Sequence, residues 1–143
     1  MSNLNLPAFC KKAMIIDDTE IDRFIAHRFL KRYCFAEEVI VEDSAAGALD
    51  YLRKYELNPA ALPQYIFLDI RMPEMDGFGF LAEYEKLPAS TKSKCIIMML
   101  SSSLSLEDHE RAKSSSYVSR FINKPLDAEK LNEIVLSPAT YAA

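Results

Sequence analysis

The chain has 143 residues, 50% hydrophobic and 27% charged, which suffices to bury the core of one globular unit but leaves no room for a second. Its net charge of −4, with 17 scattered basic residues against 21 acidic ones, argues against a surface dedicated to nucleic acid. Cys10, Cys34 and Cys95 are odd in number and lack CxxC spacing, so neither a disulfide framework nor a zinc site is expected. The N-terminal stretch lacks a signal peptide's apolar segment, and no run approaches the roughly 20 apolar residues of a membrane helix. A soluble, cytoplasmic protein with no membrane partner is expected.

Residues 13–17, Ala-Met-Ile-Ile-Asp, read as a buried strand, and after Asp18 the positions Ile21, Phe24, Ile25 and Phe29 recur at helical spacing. Residues 38–41 form a second strand candidate, and Ser44 can cap a helix carrying Leu49, Tyr51, Leu52 and Tyr55. Asn58-Pro59 and Pro63 end that helix and bound a linker before a third strand, residues 65–69. Beyond a turn over residues 73–77, Phe78, Phe80, Leu81 and Tyr84 predict a third helix that ends by Leu87-Pro88. Residues 95–100 are a wholly apolar fourth strand. Ser105 and Asp108 have the spacing of a capping box that opens a fourth, polar helix over residues 106–113. A fifth strand over residues 117–122, a turn at Asn123-Lys124-Pro125, and a fifth helix capped by Asp127 and carrying Leu131, Ile134 and Val135 complete the pattern.

Apolar strands alternating with helices imply a parallel sheet covered on both faces. Right-handed crossovers then favour a doubly wound, five-stranded, flavodoxin-like α/β fold with strand order 2-1-3-4-5. That order reverses between the first and third strands, whose ends carry Asp17-Asp18 and Asp69, so three carboxylates converge on one crevice. Like charges held close raise one another's pKa, and such a cluster must stay partly protonated or hold a cation. An all-oxygen set with room for water suits Mg²⁺. Ser101 beyond the fourth strand and Lys124 beyond the fifth would approach Asp69 from its other side. A divalent ion, a hydroxyl and an ammonium around one carboxylate can neutralise a transferring phosphoryl group, which makes Asp69 a nucleophile that forms an acyl phosphate.

Asp17-Asp18, Asp69 with Met72-Pro73 and Met75-Asp76-Gly77, Leu100-Ser101-Ser102, and Lys124-Pro125 occur in that order, and together they resemble the receiver domain of two-component response regulators. The resemblance implies one receiver domain over residues 1–143, with its core at about 13–136, acting as a stand-alone regulator. It implies that Asp69 takes a phosphoryl group from the phosphohistidine of a histidine kinase or phosphotransfer protein. Asp18, Asp69 and the backbone carbonyl of Arg71 would bind Mg²⁺, with Asp17 acting largely through water. Ser101 and Lys124 would hold phosphoryl oxygens, and Phe121 would be the switch aromatic that turns inward as Ser101 moves. The surface of helix four, strand five and helix five would contact a downstream protein or a second copy of the chain. Arg71 and Ser103, two residues beyond Asp69 and Ser101, would tune the lifetime of the acyl phosphate, and Lys124-Pro125 would be a cis peptide. Ser101 stands where Thr is common in the family, and Ser102 where Ala is usual.

Plainer readings exist for each residue. Asp18 can cap the first helix, Ser101 can turn a serine-rich segment, Lys124 can be a surface lysine, and Phe121 a core aromatic. His27 and His109 read as solvated. A Mg²⁺-dependent aspartyl-phosphate phosphohydrolase of the haloacid dehalogenase type also uses an Asp after a strand, but it needs a second Asp two positions on, where this chain has Arg71. A binding scaffold that is never phosphorylated is the third reading, and the intact set Asp17, Asp18, Asp69, Ser101 and Lys124 speaks against it. No GxGxxG or GxxxxGK[ST] phosphate loop occurs.

Overall fold

A computed structural model describes residues 7–102 and 105–137. Its strands are β1 (Cys10–Ile16), β2 (Ala36–Glu42), β3 (Tyr65–Asp69), β4 (Ile96–Ser101) and β5 (Val118–Asn123). They form one parallel sheet in the expected order β2-β1-β3-β4-β5. The helices are α1 (Glu20–Arg32), α2 (Ala45–Lys54), α3 (Gly77–Tyr84), α4 (Ala89–Lys92), α5 (Leu106–Ser114) and α6 (Ala128–Leu136).

Strand periodicity sorts the core into two layers, because successive side chains leave a sheet on opposite faces. Met14, Ile16, Ile66, Leu68, Ile97 and Met99 pack on Leu49 and Leu52 of α2, Phe80 of α3 and Ala112 of α5. Ala13, Ile15, Tyr65, Phe67, Ile96 and Met98 pack on Ala26 and Leu30 of α1 and on Leu131 and Ile134 of α6. Both faces of β3 and β4 are therefore covered, as their unbroken apolar runs require.

The expected caps are in place. Ser44 accepts the Gly47 N–H at 3.0 Å, Ser105 the Asp108 N–H at 3.3 Å, and Asp127 the Lys130 N–H at 3.0 Å. Other details depart from the sequence pattern. β1 begins at Cys10 because Lys12, which breaks the apolar run, pairs across the strand with Glu38 at 2.8 Å. The single turn α4 and a 3-10 turn over Pro59–Ala61 lie where prolines read as breaks. Pro59 instead opens the 3-10 turn at its first position, where its fixed φ is already suited, and Pro88 is the N-cap of α4.

α1 buries a different stripe from the one its largest residues suggest. Ala26 and Leu30 face the sheet, while Ile21 and Phe24 are 60% and 59% exposed. Leu30→Ala should therefore lower the unfolding free energy by about 2–5 kcal/mol, and Phe24→Ala should change it by less than about 0.5 kcal/mol. Urea midpoints of the two variants check this, and similar losses from both would contradict the assigned face.

Candidate functional site

The backbone ladder sets the starting points of the site residues. The Asp17 N–H still bonds the Glu42 carbonyl at 3.1 Å, so Asp17 extends the line of β1 past its last paired residue. Asp69 closes β3 opposite Leu100, and the Ile70 N–H donates to the Leu100 carbonyl at 3.1 Å. Ser101 closes β4 opposite Asn123, and its carbonyl accepts the Lys124 N–H at 2.8 Å. The Lys124-Pro125 peptide that follows is cis. Asp17, Asp69, Ser101 and Lys124 are thus delivered to one end of the sheet at the point where its winding reverses, which is where doubly wound folds leave a crevice.

Lys124 is the hub. Its Nζ lies 2.7 Å from Asp17 Oδ2, 2.9 Å from Asp22 Oδ2 and 3.0 Å from Asp69 Oδ1. The other oxygen of Asp17 accepts the Thr19 N–H at 2.9 Å, and Arg23 donates to the Asp17 carbonyl at 3.0 Å. The N-cap of α1 is Thr19, so the plainer reading of Asp18 as the cap does not describe the structure. Asp18 instead stands exposed on the rim, with one oxygen within 4.8 Å of oxygens of Asp17 and Asp69.

Burial, and next the neighbouring Asp17 carboxylate, push the Asp69 carboxyl up to about 6 against the pull of Lys124. The Lys124 ammonium is held above its usual range. Burial works against its charge, but hydrogen bonds to Asp17, Asp22 and Asp69 outweigh that penalty. One ammonium faces more carboxylates than it can neutralise. A hard divalent cation fits such a donor set, since every donor is an oxygen and the exposed Asp18 leaves an open side for water.

The loop after β3 approaches the site closely. A Cβ on Gly77 would lie 2.7 Å from the Asp69 carbonyl oxygen and 3.0 Å from the Ile70 Cα, so only glycine fits there. The Gly77 N–H donates to the Ile70 carbonyl at 2.8 Å, and Asp76 caps α3 by accepting the Gly79 N–H at 2.8 Å. Glu74 has φ 69° at the centre of a turn in which the Met75 N–H reaches the Pro73 carbonyl at 2.7 Å.

Ser101 is buried at the end of β4. Phe121 is half-buried, packs on the core edge and carries the His109 ring at a centroid distance of 4.8 Å. His109 is exposed, yet it covers Phe121 and is not merely solvated. The Arg71 guanidinium leaves the β3–α3 loop and pairs with the buried Asp108 carboxylate of α5. Ser103 lies outside the described residues. Two participants escape the sequence pattern, Asp22 and Asp108. Asp22 lies in the first turn of α1, four residues after Asp18, and that closeness in sequence was the available signal. Asp108 reads as part of a cap, which hides its ion pair.

The chain is similar to known proteins. Residues 13–136 match the family model of the response regulator receiver domain. The probable methanogenesis regulatory protein FilR2 of Methanothrix harundinacea is 29% identical over 123 residues, covering 85% of this chain and 77% of that protein. A two component response regulator from Cytophaga hutchinsonii superimposes with a TM-score of 0.80 at 29% identity, covering 88% of this chain and 96% of that one. The receiver domain of the histidine kinase CKI1 from Arabidopsis thaliana gives 0.68 at 28% identity, covering 88% and 85%. The chain belongs to the response regulator receiver family of two-component systems. Among the described residues, no helix is long and apolar enough to cross a membrane.

The raised Asp69 pKa has a consequence for stability. This carboxyl titrates near 3.8 when unfolded and near 6 when folded, so between those values the native state holds the proton more tightly. Stability therefore falls as pH rises through that window and stays lower above it. In a chelating buffer, Asp69→Asn should be more stable than the native chain at pH 7–8, by about 2–3 kcal/mol, with the gain vanishing below about pH 4. Urea midpoints across this range check it, and equal midpoints at pH 7.5 would refute it.

Proposed function

We propose that Asp69 is the phosphoacceptor of a two-component phosphorelay and that residues 13–136 act as one receiver unit. The observation that carries this reading is the Lys124 ammonium 3.0 Å from an Asp69 carboxylate crowded by Asp17 and Asp18. A carboxylate oxygen of Asp69 attacks phosphorus, the bond from phosphorus to the donor's imidazole nitrogen breaks, and the imidazole leaves with the electron pair. Lys124 is already charged and bonded to three carboxylates, so it can hold incoming phosphoryl oxygens by changing partners rather than by gaining a proton. Ser101 donates its hydroxyl to another phosphoryl oxygen. Water later attacks the same phosphorus, returning the carboxylate and releasing phosphate, so the chain catalyses only its own modification and its reversal.

Asp18, Asp69 and the Arg71 carbonyl would hold Mg²⁺, and Asp17, whose oxygens already serve Thr19 and Lys124, would act mainly through water. When bound, the ion offsets the negative charge of the transferring group and of the cluster itself. The similar CKI1 receiver domain has been crystallised in complex with Mg²⁺ and BeF₃⁻, which supports this assignment.

The donor is a histidine kinase or phosphotransfer protein in the cytoplasm. A segment of the sensor histidine kinase CheAY of Helicobacter pylori, 30% identical over 123 residues, supports a partner of that kind. Output passes through α5, β5 and α6 to a protein target or a second copy of the chain, because Phe121 and its His109 cover lie on that face. Movement of Ser101 toward the phosphoryl group opens space for Phe121 to turn inward.

Incubation with acetyl phosphate and Mg²⁺, followed by intact mass measurement, should show one added phosphoryl group on the native chain. Asp69→Asn should show none, and neither should the native chain in excess chelator. Absence of an adduct on the native chain would favour a scaffold. Sustained release of phosphate without any adduct would favour a phosphohydrolase.

A further inference from the structure

α5 is seated in an unusual way. Its buried residues are Ala112 and Asp108, so it lacks a broad apolar stripe. Side chains fix it to three other elements. Asp108 pairs with Arg71 of the acceptor loop, the Arg111 guanidinium lies 3.9 Å from the centre of the Phe78 ring of α3, and the His109 ring lies tilted against Phe121 of β5. The first of these contacts is asymmetric. The Asp108 side chain is 5% exposed and that of Arg71 is 62% exposed. A buried carboxylate that loses its counter-ion is left uncompensated, whereas a largely solvated guanidinium is free to change partners.

Arg71 is also two residues beyond Asp69. A phosphoryl group there would add about −1.5 to −2 charge and three acceptor oxygens, a stronger and bidentate partner for a guanidinium than one carboxylate. We propose that the Arg71–Asp108 ion pair is a charge-operated latch. It seats α5 while Asp69 is unmodified, and it opens when Arg71 moves to the phosphoryl oxygens and leaves Asp108 without its counter-charge. Asp108 is then a positioning residue for Arg71, and α5 receives the signal by a second route besides the Ser101 loop. This inference rests on Asp69 being the phosphoacceptor.

The test compares the native chain, Asp108→Asn, Arg71→Ala and the double variant after loading with acetyl phosphate and Mg²⁺. Acyl phosphate half-life is followed by intact mass, and hydrogen exchange is followed over residues 106–114. Asn at 108 keeps the backbone N–H that Ser105 caps, so the start of the helix is preserved. Asp108→Asn frees Arg71 in advance and should lengthen the half-life about fivefold, the factor expected for a partly exposed ion pair. Arg71→Ala should shorten it, and the double variant should behave as Arg71→Ala, because Asp108 acts only through Arg71. In the native chain, loading should speed exchange in residues 106–114 about fivefold, and this change should be lost in Asp108→Asn.

A half-life for Asp108→Asn within twofold of native, or lengthening that persists without Arg71, would overturn the latch while leaving the phosphoacceptor intact. Absence of any adduct on the native chain would overturn both.

Discussion

Lys124 stands between three carboxylates in the crevice where the sheet reverses its winding, and the site depends on that imbalance. The parallel ladder brings Asp17 and Asp69 together regardless of their repulsion, because backbone bonds from β1 to β2 and from β3 to β4 dictate where each strand ends. Burial then strengthens both the repulsion and the attraction to the ammonium. The result is a carboxylate held near the edge of protonation and an ammonium held charged. The oxygens of Asp17, Asp18 and Asp69 lie close enough together to hold a cation, which would offset that excess of negative charge.

From this hub, two physical routes lead outward. One follows the main chain. Ser101 and Lys124 are tied by a backbone bond, and strand β5 carries Phe121 three residues before Lys124. The other follows charge, from the loop after Asp69 through Arg71 to Asp108. Both routes end at α5, which is held by polar and ring contacts rather than by deep apolar burial. An element seated in that way depends on a few side-chain contacts, so the loss of one of them weakens its hold more than the loss of one contact would in a deep apolar core.

The legible parts of the fold are those where one strong physical signal acts alone. The apolar runs of β3 and β4 are buried on both faces, so composition alone identified them. Ser44, Ser105 and Asp127 are caps whose chemistry is local. Where signals compete, the pattern misleads. Ile21 and Phe24 are larger than Ala26, yet the face that α1 turns to the sheet carries the alanine and Leu30 and leaves the two large side chains outside. The edge position of β2 and the Lys12–Glu38 pair conceal the true start of β1, since cross-strand charge pairs do not register as apolar periodicity.

The order of the motifs determined the class of protein. A carboxylate after each of two strands, a hydroxyl after the fourth and a Lys-Pro after the fifth come to one site when the strands are parallel and doubly wound, and each signal is local to a strand end. Tertiary structure alone decided the contacts made across the chain. Asp22 meets Lys124 over 102 positions of sequence, Arg71 meets Asp108 over 37, and His109 covers Phe121. No local propensity encodes such pairs. They depend on the angles at which helices lie on the sheet, which are set by the packing of all their buried neighbours at once.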